Sequence, residues 1–207
     1  MNSPEIELLF VDDHLLVAVK PAGLLSVPGR GPDKQDCLSA RVQTLYPDAL
    51  VVHRLDMATS GLMLFARGAR MQRTVSMMFQ QREMEKRYIA VCDGLLNTPQ
   101  GVIDLPIAPD WPNRPLQRLD VVHGKPSLTR YRLLRLEDDR SRVELEPVTG
   151  RSHQLRLHLA SIGHPILGDA LYGDMLSAPR LLLHASQLRF NHPVSRELMS
   201  FEHLPSF

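Results

Sequence analysis

Apolar positions along the chain follow two rhythms. Ile6 to Val11 and Leu15 to Val19 are continuous apolar runs of strand length. Asp12-Asp13-His14 separates them, so they predict a hairpin. Lys20-Pro21-Ala22-Gly23 breaks the pattern. Residues 36 to 46 predict a helix that stops at Pro47, and Gly61 to Ala66 predicts a buried strand. From Ala69 to Glu85 the rhythm changes: Met71, Val75, Met78 and Phe79 fall at offsets of four, seven and eight, the stripe of an amphipathic helix. Strand signals then dominate, at Tyr88 to Val91, Gly101 to Ile107, Ser127 to Leu136, Arg142 to Glu146, Leu181 to Phe190 and Glu197 to Phe201. One helix, Ser152 to Ile162 with Leu155, Leu159 and Ile162 as its buried stripe, interrupts them. Clustered strands with a few helices and no strict alternation predict an α+β protein rather than a doubly wound one.

Composition narrows the class. A chain of 207 residues, 43% apolar and 23% charged, is long enough for one compact domain or two tightly joined lobes. The proline-rich stretch Pro106 to Pro115 holds the chain's one tryptophan, Trp111, and reads as an ordered loop that does not divide domains. No run approaches the roughly 20 apolar residues that span a bilayer. The opening MNSPEIELLFVDD has no basic region before its apolar stretch, so it does not read as a secretory signal and a cytoplasmic protein is expected. Two cysteines, Cys37 and Cys92, are too few for a disulfide framework or a zinc site, and both read as small buried residues. The histidines His53, His153, His158 and His184 lack the paired spacing of a metal-binding helix, so no metal is expected.

Charge is uneven. The net value is +1, yet residues 54 to 87 carry Arg54, Arg67, Arg70, Arg73, Arg82, Lys86 and Arg87 against Asp56, Glu83 and Glu85, a local +4 (7 minus 3). Residues 111 to 132 repeat it, with Arg114, Arg118, Lys125, Arg130 and Arg132 against Asp120. Glu5, Glu7, Asp12 and Asp13 make the N-terminus acidic. A neutral total can thus hide a basic face.

The chemistry centres on His53-Arg54-Leu55-Asp56-Met57-Ala58-Thr59-Ser60-Gly61, a carboxylate in a loop that leads into a buried strand. On residue type alone, Asp56 is either a turn cap or a reactive carboxylate that must stay ionised in a partly dehydrated site. In the second case a guanidinium within about 4 to 6 Å would hold its pKa down. Arg151 and Arg156 both qualify, and they diverge around the helix axis, so the pattern leaves the choice open.

These segments resemble the RluA-type pseudouridine synthases. HRLDMATSG at 53–61 matches the family's aspartate signature, KRYIA at 86–90 the tyrosine segment, and GRSHQLRLHLASIGHPILGD at 150–169, followed by RLLLHA, a third segment in the same order and spacing. The resemblance runs from VDDHLLVAVKPAGLLSVPG to the C-terminal strands. It implies the pseudouridine synthase fold over residues 1–207 as a single catalytic domain: a mixed, largely antiparallel sheet with flanking helices and a central RNA-binding cleft. No S4-like module is expected before it. It further implies Asp56 as catalytic carboxylate, Tyr88 as the aromatic residue at the target base, and Arg156 as the partner of Asp56.

Pseudouridine formation cuts an N-glycosidic bond, turns the uracil and rejoins it through carbon 5, so neither cofactor nor metal is expected. The target base must leave its stack, at a cost of a few kcal/mol. Arg54 is the residue whose plane could fill the gap. His53, Thr59, Arg87, Arg114, Arg151 and His153 complete the expected RNA contacts. Short RluA-type proteins imply a loop uridine of 23S rRNA and an anticodon-loop uridine of tRNA as substrates, and a monomer. Two other readings exist: a noncatalytic RNA-binding relative of the same fold, and an Asp/His hydrolase, which would lack its nucleophile elbow here.

Overall fold

The computed structural model describes residues 6–207, so the leader reading of the first five residues and the charge of Glu5 lie outside it. The chain divides into two compact units, one formed by the chain to Glu85 with Ala185–Pro205, the other by Lys86–His184 with Ser206–Phe207.

The first unit begins with the expected hairpin. Strands β1 (Leu8–Val11) and β2 (Leu15–Lys20) pair antiparallel, and Asp12 closes the turn by accepting the amides of His14 and Leu15 on Oδ1 at 2.7 and 2.6 Å. After a short 3-10 turn at Pro32–Lys34, helix α1 (Leu38–Leu45) leads to β3 (Ala49–Val51), a strand the patterning did not predict. The N-terminus of α1 is capped by Cys37, whose Sγ accepts the Ala40 amide at 3.4 Å. This cysteine therefore caps as well as packs.

Strand β4 (Ser60–Arg67) is buried along almost its whole length, as its unbroken apolar run requires, with β2 and β3 both antiparallel to it. Helix α2 (Ala69–Gln81) covers the sheet through Val75 and Met78, with Met71 and Phe79 half-buried beside them. Strands β11 (Leu183–Asn191) and β12 (Leu198–Glu202) complete this unit, Leu188 and Phe190 entering the same core. The expected helix ran to Glu85; it ends at Gln81 because Arg82 turns left-handed (φ 63°) and the Glu83 amide reaches back to the Met78 carbonyl at 2.9 Å. Arginine in a position usually given to glycine left no sequence signal.

The second unit is a meander-like antiparallel sheet in the order β5 (Glu85–Asp93), β10 (Arg140–Pro147), β9 (Leu128–Glu137), β6 (Gln100–Asp104). The expected single strand from Gly101 to Ile107 is broken at Leu105-Pro106. Pro106 has no amide for the ladder, and the chain continues as β7 (Ile107–Pro109), which pairs with the unpredicted β8 (Gln117–Leu119) in a separate two-stranded ribbon. Helix α3 (Gln154–Ser161) is shorter than expected at both ends. His153 is left-handed (φ 56°) before it, and Ile162, expected in the buried stripe, is exposed after it.

Close packing inside the first unit centres on Gly61. Its φ is 114°, and a Cβ there would lie 2.3 Å from the Ala185 carbonyl oxygen and 2.5 Å from the Ala185 nitrogen. Gly61→Ala is expected to cost about 3 kcal/mol through combined backbone strain and overlap. Urea unfolding measures this, and a loss under about 1 kcal/mol would mean that the strands part without penalty.

Candidate active site

The Asp56 loop, residues 52–59 between β3 and β4, is fastened from three directions within the first unit. Where β3 ends opposite Phe65, His53 takes over, its Nε2 accepting the Leu64 amide at 2.9 Å while its ring packs on Phe79 with centroids 4.7 Å apart. Ser26 brackets the buried Leu55: Oγ donates to its carbonyl at 2.6 Å and accepts its amide at 3.1 Å. The Asp56 carbonyl accepts the Thr59 amide at 3.1 Å, closing a turn with Thr59 buried and Asp56 half-buried. Arg54 is exposed. Of the residues expected as RNA contacts, His53 helps to hold this loop through its ring and Thr59 through its backbone amide, whereas Arg54 faces solvent.

The third fastening is Lys20, which residue patterning read only as the edge of a break. It ends β2 with no exposed surface, and its Nζ donates to the carbonyls of Pro21 (2.9 Å), Leu24 (2.6 Å) and Met57 (3.0 Å). Met57 follows Asp56 directly, so one ammonium ties the end of a core strand to the loop. Burial lowers the Lys20 pKa to about 8, while the negative charge of Asp56 works in the opposite direction. A lysine closing an otherwise apolar strand before Pro-x-Gly was the available signal.

In the second unit, Tyr88 stands on β5 opposite Leu145 of β10, half-buried. Its neighbour Lys86 lies near Gly150, and burial lowers the Lys86 pKa. Arg87 pairs with Glu144 at 2.6 Å, and Glu144 also takes Arg132 at 3.1 Å. Arg151 is exposed and donates from Nε and Nη2 to the Pro126 carbonyl at 3.3 Å each. Arg114 lies over the Trp111 ring, 3.7 Å from its centroid.

Arg156 is buried at the start of α3. Its Nε and Nη2 donate to Asp169 Oδ2 and Oδ1 at 2.8 and 2.6 Å, a bidentate fork. Asp169 is fully buried and also accepts the amides of Leu171 and Tyr172. Burial pushes its pKa up, but the Arg156 guanidinium and these two amides outweigh that and hold it below the usual carboxylate range. The Tyr172 ring lies 5.4 Å from the guanidinium, and its hydroxyl joins His153 Nδ1 at 2.8 Å.

Behind this cluster Gln154 satisfies all of its polar capacity. Its Oε1 accepts from Thr149 Oγ1 (2.7 Å) and the Arg151 amide (3.0 Å), and its Nε2 donates to Leu128 and Thr129 Oγ1 at 3.0 Å each. Thr129 in turn meets His158 Nδ1, while His158 Nε2 reaches the Leu105 carbonyl, both at 2.9 Å. A carbonyl only accepts, so Nε2 carries a proton; burial lowers the His158 pKa, which favours the neutral ring with Nδ1 accepting from Thr129. Asp169, Gln154 and His158 leave no mark in the residue pattern as supports of α3 and Arg156, because their partners are distant in sequence. Among the described residues no three of His, Cys, Asp and Glu gather as a metal-binding group, and no helix is long and apolar enough to cross a membrane.

The sequence model of the RNA pseudouridylate synthase family matches residues 14–161, which draw on both units. Among curated relatives, the dual-specificity RNA pseudouridine synthase RluA of Pasteurella multocida is 46% identical over 210 residues, covering 100% of this chain and 96% of the relative. Its namesake from Escherichia coli K12 is 45% identical over 205 residues, covering 97% and 94%, and that from Vibrio cholerae 47% over 200 residues, covering 95% and 82%. Two solved human structures are similar: RNA pseudouridylate synthase domain containing 1 has a TM-score of 0.80 at 26% identity, over 98% of this chain and 84% of that one. Domain containing 4 has a TM-score of 0.78, also at 26% identity, over 97% and 89%.

Two stability predictions follow from the buried charges. Lys20 has a folded pKa of about 8 against 10.5 for the free side chain, so between these values the unfolded chain binds more protons and stability rises with pH. That contribution, up to about 3 kcal/mol, is complete above the free-chain value and lost as pH falls through the folded one. Lys20→Met strips three carbonyls of their donor, which costs about 2 kcal/mol or more at pH 7. The variant also lacks the rise, so its deficit against the native chain widens from pH 7.5 to pH 10 in urea titrations; a constant deficit would contradict a buried charged amine. Asp169→Asn leaves the Arg156 charge poorly compensated and is expected to cost about 3 kcal/mol at neutral pH.

Proposed function

The chain belongs to the RNA pseudouridylate synthase family and is an RluA-type RNA pseudouridine synthase, and from that premise we propose that Asp56 is its catalytic carboxylate, acting on a loop uridine of a small RNA stem-loop. The observation that supports this reading is the fastening of the Asp56 loop. Lys20, Ser26 and His53 hold the backbone on both sides of the carboxylate, leaving its side chain half-buried and Arg54 exposed two residues away. A mere turn cap would need none of that buried apparatus.

In the proposed reaction the bond from ribose C1′ to uracil N1 breaks, the base turns, and C1′ bonds to C5. The proton on C5 is lost to solvent and N1 gains one, so atoms and electrons balance without a cofactor or metal. Ionised Asp56 serves as nucleophile or as base at the ribose. Tyr88 is the proposed aromatic residue at the target base, and Arg156 the arginine of the reaction. Arg54 fills the space the flipped base leaves, its planar guanidinium suiting a stacked position. His53, Thr59, Arg87, Arg114, Arg151 and His153 are the other proposed RNA contacts.

The relatives' dual-specificity name supports two RNAs, and the substrates proposed are a 23S rRNA stem-loop and a tRNA anticodon stem-loop, met in the cytoplasm by a monomer. The test is tritium release from carbon-5-labelled stem-loops of both kinds, with the product nucleotide mapped. No release from any RNA sinks the reading. Asp56→Asn is expected to reduce release to background while RNA affinity changes by less than about fivefold, or about 1 kcal/mol. If binding is lost as well, Asp56 is structural.

A further inference from the structure

Trp111 is the chain's one tryptophan, and 66% of its surface is exposed. Large aromatic side chains normally bury themselves. Here the loop around the indole is well tied: the Asp110 amide donates to the Leu116 carbonyl at 3.0 Å, the Asn113 amide to the Asp110 carbonyl at 3.1 Å, and the Leu116 amide to the Asn113 carbonyl at 2.9 Å. The ribbon of β7 and β8 that carries it is anchored too, because the Gln117 amide donates to the Tyr172 hydroxyl at 2.8 Å. That hydroxyl also meets His153, and the Tyr172 ring lies beside Arg156. The indole thus stands on a support that continues into the Arg156 cluster.

One face of the indole is covered by Arg114, whose guanidinium carbon is 3.7 Å from the ring centroid. Among the described residues no carboxylate pairs with Arg114, whereas Arg118 is matched by Asp120 at 2.9 Å. A rigid aromatic plane, backed by a cation whose charge is not spent on the protein, has the chemistry that single-stranded nucleic acid meets: stacking for the base, attraction for its phosphate. An acidic peptide would meet the cation but would leave the flat face unused.

We infer that the Trp111–Arg114 pair is a stacking platform for one unpaired nucleobase of the substrate RNA, separate from the base that reacts. This rests on the RNA-modifying reading above. Its consequence is a contribution to substrate affinity that tolerates any base, since every base offers a flat face.

Because Trp111 is the sole tryptophan, intrinsic fluorescence reads it directly. Titration of the native chain with an anticodon stem-loop should change indole emission along the same saturation curve as anisotropy of the labelled RNA. Trp111→Ala should weaken binding by about 5- to 150-fold, the span of single-base stacking, and Trp111→Phe by much less, with both thermal midpoints close to native. Emission that stays constant at saturating RNA, or native affinity in Trp111→Ala, overturns the platform. Tritium release is measured in parallel: turnover with constant emission rejects the platform and keeps the enzyme reading. Absent turnover with saturable quenching rejects the reaction and keeps a base-stacking site.

Discussion

A single buried ammonium organises the first unit's functional edge. Lys20 closes a core strand, yet instead of ending at the surface its side chain is fully enclosed and donates to three backbone carbonyls, one of them Met57, the residue after Asp56. An apolar side chain in that place would leave those carbonyls without a donor, and an unsatisfied buried acceptor costs more than a made bond gains. The charge is itself expensive to bury, which is why its pKa falls to about 8. The loop is thereby held in one conformation by a group that tolerates little displacement. A reactive carboxylate needs that kind of support, because misplacement by about 1 Å can cost a hundredfold in rate.

The second unit uses the same logic with more partners. Arg156 and Asp169 are both buried, and their pairing is sound only because the carboxylate receives two backbone amides besides the guanidinium. Gln154, Thr129 and His158 form a chain in which every donor meets an acceptor and burial favours the neutral imidazole. Such a satisfied network is rigid. Since Arg156 and Gln154 are near neighbours on α3, the network fixes the helix that presents the arginine.

The repeating patterns were legible and the polar frame was not. Strands β2, β4 and β10 and the stripe of α2 follow from runs and spacing, because burial on a sheet or along one helix face leaves a periodic mark. Asp56, Tyr88 and Arg156 enter as candidates through segments that resemble a family, and their roles belong to the proposed function. Lys20, Gln154, His158 and Asp169 leave no period, since each is buried for partners far along the chain. The end of α2 was missed for a related reason: Arg82 takes a left-handed turn without being glycine. Short strands such as β3 and β8, three residues each, are too brief for alternation to register.

Local charge sums also mislead in one definable way. The basic excess in residues 111–132 counts Arg118, Arg130 and Arg132, yet these pair with Asp120, Glu146 and Glu144, acids that mostly lie outside the counted window. Arg67 and Arg87 are likewise matched by Asp48 and Glu144. Exposed pairs of this kind add little stability, but they do lower the field that RNA would meet. The cations without a carboxylate partner among the described residues include Arg54 on the Asp56 loop, Arg70, Arg73 and Arg82 on and just after α2, and Arg114 and Arg151 in the second unit. On the proposed reading, recognition combines these cations with fixed planes and shaped loops, so the rigidity supplied by Lys20 and by the Arg156 cluster would serve binding as well as chemistry.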